Sequence, residues 1–313
     1  MALDILERRS RFEPKASKRI AQLTERDLLW FEKLHRHGPL PTEYLLAYSA
    51  NLGMAENRAR DRLTQLYHEK DTPNGGRYLT RPVQQQNTPI RNQCTVHDLR
   101  EPAFEALQQY GKLQPYAPAH AHGMWWQHDF MLACFTSSIE LACLQEPEKY
   151  RFIFHDEICA KADRRLSFEV KYDDSHDIKR TQNLKPDRVF GIHYLKSNIT
   201  RYYLVEADRG TETINSTDTG RKRLLDNDLQ YRQFIGELEY KKALKFQGGI
   251  VLLNIFTSET RMNNLMTQIS PANYMAFKSL PMFGGVFKAP PILLQLFTEP
   301  WQRPGREPFY LNQ

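Results

Sequence analysis

The sequence predicts an α+β protein with two domains, and three observations support that fold class. The chain has 313 residues, which is enough for two separate hydrophobic cores. Its first third alternates short amphipathic helices with two short strands around a glycine-rich turn. After a stretch rich in proline and alanine, the pattern changes to a long apolar helix followed by several strands and further helices.

The composition limits the class of protein and its partners. The formal net charge is +6 and the pI is about 9.0, which suits a polyanionic partner and equally a solvated basic surface. The four cysteines form no CxxC pair and have no histidine at zinc-ligand spacing. No apolar run approaches ~18 residues, and the N-terminal residues lack the charged-then-apolar order that is typical of a signal peptide. We therefore expect a cytoplasmic protein with reduced thiols and no membrane partner.

Three helices and a β-wing are predicted in the first third of the chain. Thr24 is the expected N-cap of a helix that ends near His37-Gly38. A short helix over 42–49 and a third helix over about 55–69 follow. The segments 77–80 and 94–99 read as strands, with the polar stretch 84–89 as the wing tip, and a helix over about 101–110 closes the unit.

The third predicted helix has one apolar and one polar face. Ala59, Leu63, Leu66 and Tyr67 fall on one side at 3.6-residue spacing. The other side has the arginines and amides that suit base edges in the major groove: Asn57, Arg58, Arg62 and Gln65. Together with the wing, this pattern predicts a winged helix-turn-helix that binds double-stranded DNA. The alternative is a protein-docking module whose polar face is only solvated.

The change of pattern sets the expected domain boundaries. Residues 1–19 read as a charged N-terminal arm, and 20–112 as the winged helix-turn-helix domain. Residues 113–123, with Pro115 and Pro118, have the composition of a linker. A second domain is expected over 124–313. Its predicted elements are a helix over 124–145, strands over 151–159, 166–172, 188–194 and 201–207, a helix over 218–245, a strand over 249–256, a helix over 259–269 and a further strand over 292–297.

This order of elements matches the core of the PD-(D/E)XK nuclease-like fold, in which carboxylates at two strand ends hold Mg²⁺. Asp187 opens one strand, and Glu206 and Asp208 end the next, which we expect to be its antiparallel neighbour across a turn near 196–198. Asp187 and Glu206 are the candidate metal ligands, with Mg²⁺ as the candidate cofactor. The catalytic lysine of the fold is replaced by Asp208, so Lys222, or Lys185, would have to supply the positive charge. The alternative is that these acids are strand-end carboxylates bonded to the backbone.

Three segments resemble the replication-relaxation proteins of plasmids and other mobile elements. They are Trp126-Gln127-His128-Asp129-Phe130-Met131-Leu132-Ala133, then Lys185-Pro186-Asp187, then Val205-Glu206-Ala207-Asp208-Arg209-Gly210-Thr211-Glu212 with Arg221-Lys222 following. The likeness covers about residues 20–260. It implies an N-terminal winged helix, a nuclease-like second domain, and Glu206, Asp208, Arg209 and Glu212 as a polar centre. It also implies a role in replication, relaxation, transfer or control of such an element, without naming a reaction.

Three function classes are therefore open. The first is a DNA-binding protein whose degenerate nuclease-like domain serves homodimerisation or partner contact. The second is a Mg²⁺-dependent DNA endonuclease or nickase directed by the winged helix, and the third is an adaptor that recruits replication or transfer proteins. Further acids on the long helix, Asp129 and Glu140, are candidate additions to the acidic site. A metal cluster of His120, His122 and His128 and a nucleophilic Tyr202 or Tyr203 are the weaker interpretations.

Overall fold

The computed structural model describes Pro14 and residues 22–53, 55–68, 77–86, 94–118, 126–174, 178–210, 224–284 and 289–313. The chain divides into two compact units. The first spans Met1–Ser137 with Val286–Ile292, and the second spans Ser138–Gly285 with Leu293–Gln313. The division falls inside the helix α6, Trp126–Gln145, rather than in the proline- and alanine-rich stretch at 113–123.

The first unit consists of helices around a small antiparallel sheet. The helices are α1 (Glu25–His37), α2 (Thr42–Tyr48), α3 (Glu56–His68), α4 (Val83–Gln86) and α5 (Glu101–Gln109), and the strands are β1 (Leu40–Pro41), β2 (Leu79–Thr80) and β3 (Val96–Leu99). The sheet order is β1-β3-β2, so β1, which lies between α1 and α2, pairs with the hairpin strand β3.

Helix α1 begins and ends where the sequence predicts. The Thr24 hydroxyl accepts from the Asp27 backbone N–H, and the Asp27 carboxylate accepts from the Thr24 backbone N–H at 2.8 Å. This reciprocal pair satisfies two of the N–H groups that a helix start leaves without partners. At the other end Gly38 adopts a φ of +111°, which a residue with a side chain rarely tolerates. Trp30 and Phe31 between these caps are fully buried.

One glutamine closes the hairpin of the first unit. The Gln85 side-chain amide donates to the Cys94 carbonyl at 2.8 Å, and its oxygen accepts from the Val96 backbone N–H at 3.0 Å. Gln85 lies in the one-turn helix α4, within the segment predicted as an irregular wing tip. The rest of that predicted tip, from 87 to 89, lies outside the described residues.

A mixed sheet forms the centre of the second unit. Its strands run in the order β12-β11-β10-β9-β8-β7-β4 among the described residues, and β5 and β6 form a separate hairpin. The strands are β4 (Tyr150–Ile153), β5 (Phe168–Asp173), β6 (Lys179–Leu184), β7 (Arg188–Tyr194), β8 (Ile199–Asp208), β9 (Ile250–Phe256), β10 (Met275–Ser279), β11 (Trp301–Arg303) and β12 (Arg306–Phe309). The helices are α7 (His155–Ala162), α8 (Leu224–Gly236), α9 (Glu239–Leu244) and α10 (Glu259–Met266).

The antiparallel pairing of β7 with β8 is the one that the sequence predicts. β7 and β8 are antiparallel and are joined by a turn that ends at Asn198, whose φ is +55°. β9 lies parallel to β8, with Glu206 beside Asn254. Tyr203 and Leu253 are fully buried, which is typical of strands covered on both faces. These observations confirm an α+β protein.

Glycine at 248 is required by a close backbone approach. A Cβ atom at this position would overlap the Thr200 carbonyl oxygen, whereas one at Gly249 would meet nothing within 4 Å. The Gly249 carbonyl accepts from the Tyr202 backbone N–H at 3.0 Å, which ties the segment before β9 to β8. This glycine pair therefore serves strand packing in the second unit.

Several predicted elements differ from the observed ones. The predicted strand over 151–159 ends at Ile153, because Ile158, Cys159 and Ala162 bury one face of the helix α7. The predicted helix over 218–245 is broken at Leu238, whose φ is +58°, and the segment predicted as a strand over 292–297 contains a 3₁₀ turn at Leu294–Phe297. β6 was not predicted because its residues are mostly polar and exposed.

Candidate functional site

Helix α3 presents a polar face to solvent, and we call its exposed residues Asn57, Arg58, Asp61 and Gln65 the α3 polar face. The opposite face buries Ala59, Leu63, Leu66 and Tyr67, as the spacing predicts. Arg58 forms no ion pair with any residue that the structure describes. The exposed side of α3 therefore offers one guanidinium and several amide or carboxylate groups to a partner.

Arg62, the other arginine expected to read bases, is bound inside the first unit. Its Nη2 lies 2.7 Å from Asp27 Oδ2 and its Nε lies 3.0 Å from Asp27 Oδ1. Asp27 is fully buried, so the pair is desolvated on the carboxylate side. Nη2 also donates to the Gln22 carbonyl at 2.9 Å, and Nη1 donates to Gln65 Oε1 at 3.2 Å. In this arrangement Arg62 holds α3 against α1 and orients the Gln65 amide.

Basic residues also surround the hairpin strands. The Arg81 guanidinium carbon lies 4.1 Å from the centre of the Tyr67 ring and that of Arg77 lies 5.4 Å away, which are cation–π distances. Arg100, the N-cap residue of α5, is exposed. Helix α3 and the hairpin therefore contribute positive charge to the same unit, which favours an anionic partner.

Asp187 and Glu206 meet at the ends of two neighbouring strands. Arg188 pairs with Val205 in the two strands, and the preceding residue Asp187 donates its backbone N–H to the Val205 carbonyl at 3.1 Å. Asp187 Oδ2 accepts from the Ala207 backbone N–H at 2.9 Å. Asp187 thus stands opposite Glu206, and one of its oxygens is bonded to the backbone of β8. Both side chains are half-buried.

Tyr231 on α8 covers this pair of acids. Its hydroxyl donates to Glu206 Oε1, and its side chain is fully buried. Burial raises the pKa of Tyr231 well above its ordinary value, and the neighbouring charges of Glu206 and Asp187 raise it further. The phenol therefore remains a donor at neutral pH. The sequence prediction missed Tyr231, because a tyrosine on an amphipathic helix does not stand out from core residues.

Asp208 is neutralised by an arginine that the sequence analysis did not identify. Arg261 on α10 donates from Nε to Asp208 Oδ2 and from Nη2 to Asp208 Oδ1 at 3.3 Å. The Asp208 side chain is 6% exposed, and its Oδ1 also accepts from the Gly210 backbone N–H at 2.9 Å. The third predicted acid is thus part of a buried ion pair at the end of β8.

Among the described residues, no three acidic, histidine or cysteine side chains are grouped so that they could share a metal ion. Asp187, Glu206 and Asp208 each accept a hydrogen bond from within the protein. Mg²⁺ requires near-octahedral oxygen ligands. Lys222 and Glu212 lie outside the described residues, and Lys185 is exposed.

The remaining candidates have separate surroundings. Asp129 belongs to the first unit and lies 3.5 Å from His128, whereas Glu140 is buried in the second unit. His120 and His122 lie outside the described residues. The Tyr203 hydroxyl is 2.8 Å from that of Tyr194, which agrees with a role in the core.

No family model, curated protein or solved structure matches this chain. Among the helices that the structure describes, none is both long enough and apolar enough to cross a bilayer.

Proposed function

We propose that the protein binds double-stranded DNA through its first unit, which we interpret as a winged helix-turn-helix with α3 as the recognition helix. The element order α1-β1-α2-α3-β2-α4-β3 and the sheet order β1-β3-β2 support this interpretation. A helix that follows a short second helix and presents a polar face suits the major groove, while the hairpin lies beside the phosphates.

The α3 polar face is the observation that carries the proposal. Asn57 and Arg58 are exposed, and these residue types pair with adenine and guanine edges. Arg62 takes a different role from the one that its sequence position predicts: it positions the helix through Asp27, and it orients Gln65. Base contacts are therefore assigned to Asn57, Arg58 and Gln65.

The decisive experiment is selection of binding sites from random duplex DNA by the full chain, followed by a fluorescence-anisotropy titration of the selected duplex. We expect a specific Kd at least roughly 1,000-fold below that for scrambled duplex, and a strong decrease of affinity with salt. A selection that enriches no sequence, with equal Kd values for all duplexes, would contradict sequence-specific binding.

For the second unit we propose a degenerate nuclease-like domain that serves dimerisation or contact with replication or transfer proteins. The order β4-β7-β8-β9, with Asp187 opposite Glu206, supports the nuclease-like interpretation. The engagement of Glu206 by Tyr231 and of Asp208 by Arg261 supports degeneracy. Because its segments also resemble replication-relaxation proteins, we place the protein in the replication, relaxation, transfer or control of a plasmid or other mobile element.

A Mg²⁺-dependent endonuclease or nickase is the second candidate function, and the opposition of Asp187 and Glu206 is the observation that favours it. Incubation of supercoiled plasmid with the wild type in Mg²⁺ or Mn²⁺ tests it. Metal-dependent nicking that disappears in Glu206→Gln would establish the nuclease. Absence of nicking, together with retained DNA binding, would favour the regulator.

A further inference from the structure

A cavity of about 310 Å³ lies at the base of the β2–β3 hairpin, and we call it the hairpin cavity. This volume is at the lower end of the roughly 300–1,000 Å³ range of small-molecule sites. Both strands contribute to its wall, as do the segment that enters α4, the N-cap residue of α5 and the first residue of α6. All of these residues belong to the first unit.

The charged lining of the hairpin cavity favours an anion. Arg81 and Arg100 line it together with one acid, Asp98. Asp98 is only 3% exposed, and its Oδ1 accepts from the Leu99 backbone N–H at 2.8 Å, so part of its charge is directed to the backbone. Arg100 is exposed and has no carboxylate partner within the part of the chain that the structure describes. The lining of the hairpin cavity therefore has two arginine guanidiniums and one aspartate carboxylate, and its net charge is positive.

The rest of the lining is apolar. Trp126 is 2% exposed and stacks on Phe130 with ring centres 5.0 Å apart, so it forms a fixed wall. Pro82 is buried, whereas Val83 is 62% exposed at the rim, which is unusual for a valine. Apolar walls with a few charged groups are the usual composition of ligand sites.

One contact links the hairpin cavity to the recognition helix. The Arg81 guanidinium that lines the cavity lies over the ring of Tyr67, 4.1 Å from its centre. Tyr67 is 1% exposed and lies on the buried face of α3, opposite the α3 polar face. A ligand that draws the guanidinium toward the cavity would therefore change a packing contact of α3.

We propose that the hairpin cavity binds a small organic anion, with its charged group at Arg81 and Arg100 and a planar apolar body against Trp126, Pro82 and Val83. Occupation of the cavity alters DNA affinity through Arg81 and Tyr67. The binding site does not depend on the proposed function, and only the linkage between the cavity and DNA affinity rests on it.

Calorimetric titration of the full chain with 1-naphthoate tests the site, with 1-naphthalenemethanol and inorganic phosphate as matched probes that lack the charge or the apolar body. We expect the wild type to bind naphthoate at least about tenfold more tightly than either matched probe, because a charge-assisted hydrogen bond contributes about that factor. Arg100→Ala and Val83→Glu should each weaken naphthoate binding by about tenfold or more. Arg306→Ala, which removes an exposed arginine of the second unit, should leave it unchanged.

Each outcome decides one part of the proposal. No naphthoate binding by the wild type, or equal binding by Arg100→Ala, overturns the site. Equal binding of phosphate or of the neutral alcohol overturns the assigned ligand class.

Anisotropy titrations with the selected duplex at saturating naphthoate test the linkage between the cavity and DNA affinity. A shift of the DNA Kd by at least about threefold in the wild type but not in Arg100→Ala supports the linkage, and an unchanged Kd overturns it. Failure of the wild type to bind any DNA contradicts the proposed function and leaves the calorimetric result valid.

Discussion

Arg62 on α3 and Asp27 on α1 form an ion pair in which the carboxylate is fully buried and the guanidinium approaches both of its oxygens. Asp27 also accepts the Thr24 backbone N–H, so a single carboxylate caps one helix and holds another. The orientation of α3 therefore depends on a residue in the first turn of α1. Removal of either partner leaves the other without its main interaction in a buried setting.

We predict that Arg62→Ala lowers the free energy of unfolding by about 3–5 kcal/mol, because it leaves Asp27 buried and uncompensated. Urea denaturation measures this change. Arg58→Ala, on the same helix but exposed, is the matched control and should change stability by less than about 0.5 kcal/mol. Similar stabilities for the two variants would show that the pair with Asp27 contributes little.

Arg58 is also expected to contribute to DNA binding under the proposed function. Arg58→Ala should weaken binding to the selected duplex by about 1–3 kcal/mol and relax selectivity at one base position, because it removes a base-reading guanidinium. Arg306→Ala removes an exposed arginine of the second unit and controls for net charge. Anisotropy titrations that find the same Kd for the wild type and Arg58→Ala would remove Arg58 from the recognition surface.

Tyr231→Phe tests the hydrogen bond to Glu206. The substitution removes a donor to a half-buried carboxylate, and we expect a loss of stability of about 1.5–3 kcal/mol. Tyr240→Phe is the matched control, since Tyr240 is buried in the second unit and its hydroxyl has no hydrogen-bond partner among the described residues. Equal losses in the two variants, measured by urea denaturation, would mean that the Tyr231 hydroxyl has no special role.

His97 predicts how the stability of the first unit changes with pH. Burial, with a smaller effect from the nearby Arg81 charge, lowers the pKa of His97 to about 3. Its Nε2 lies 3.0 Å from Thr42 Oγ1, and its side chain is 2% exposed. The unfolded chain takes up a proton below the ordinary histidine pKa of about 6.5, whereas the folded protein does not until about pH 3. The stability contribution is therefore present above pH ~6.5 and declines as the pH falls.

The measurement compares the wild type with His97→Gln by urea denaturation at several pH values. The stability advantage of the wild type should shrink by about 1.4 kcal/mol per pH unit below ~6.5, because only the wild type carries this histidine. A constant difference between pH 7.5 and pH 4.5 would show that His97 has the same pKa in the folded and the unfolded protein.

Local rules predicted several elements of the first unit. The cap at Thr24, the helix end at Gly38 and the apolar spacing of α3 are decided within a few residues, so pattern and structure agree. The antiparallel β7–β8 pair was also predicted, because the two strands are joined by a short turn. The Asp27–Arg62 pair could not be predicted, since it joins residues 35 positions apart on two helices.

In the second unit the errors have physical causes. The apolar residues Phe152, Ile153 and Phe154 suit a strand, but His155-Asp156-Glu157 begins a helix with acidic residues in its first turn, and Ile158 and Ala162 are buried at helical spacing. Tyr231 and Arg261, which bind the acidic residues, lie on helices α8 and α10. The local sequence pattern of these helices does not indicate where they contact the sheet. Sequence reasoning therefore located the carboxylates and missed the two groups that bind them.

The contact between Gly248 and the Thr200 carbonyl has a consequence for how freely this sequence can vary. Because any side chain at 248 would meet backbone rather than a movable side chain, no compensating substitution nearby could make room for it. Gly249, one residue later, has open space around its missing Cβ. A saturation library selected for folded protein should therefore lose every alternative at 248 while retaining alanine and serine at 249. Among diverged descendants of this chain, that single glycine would be a more durable mark of common descent than any of its acidic residues.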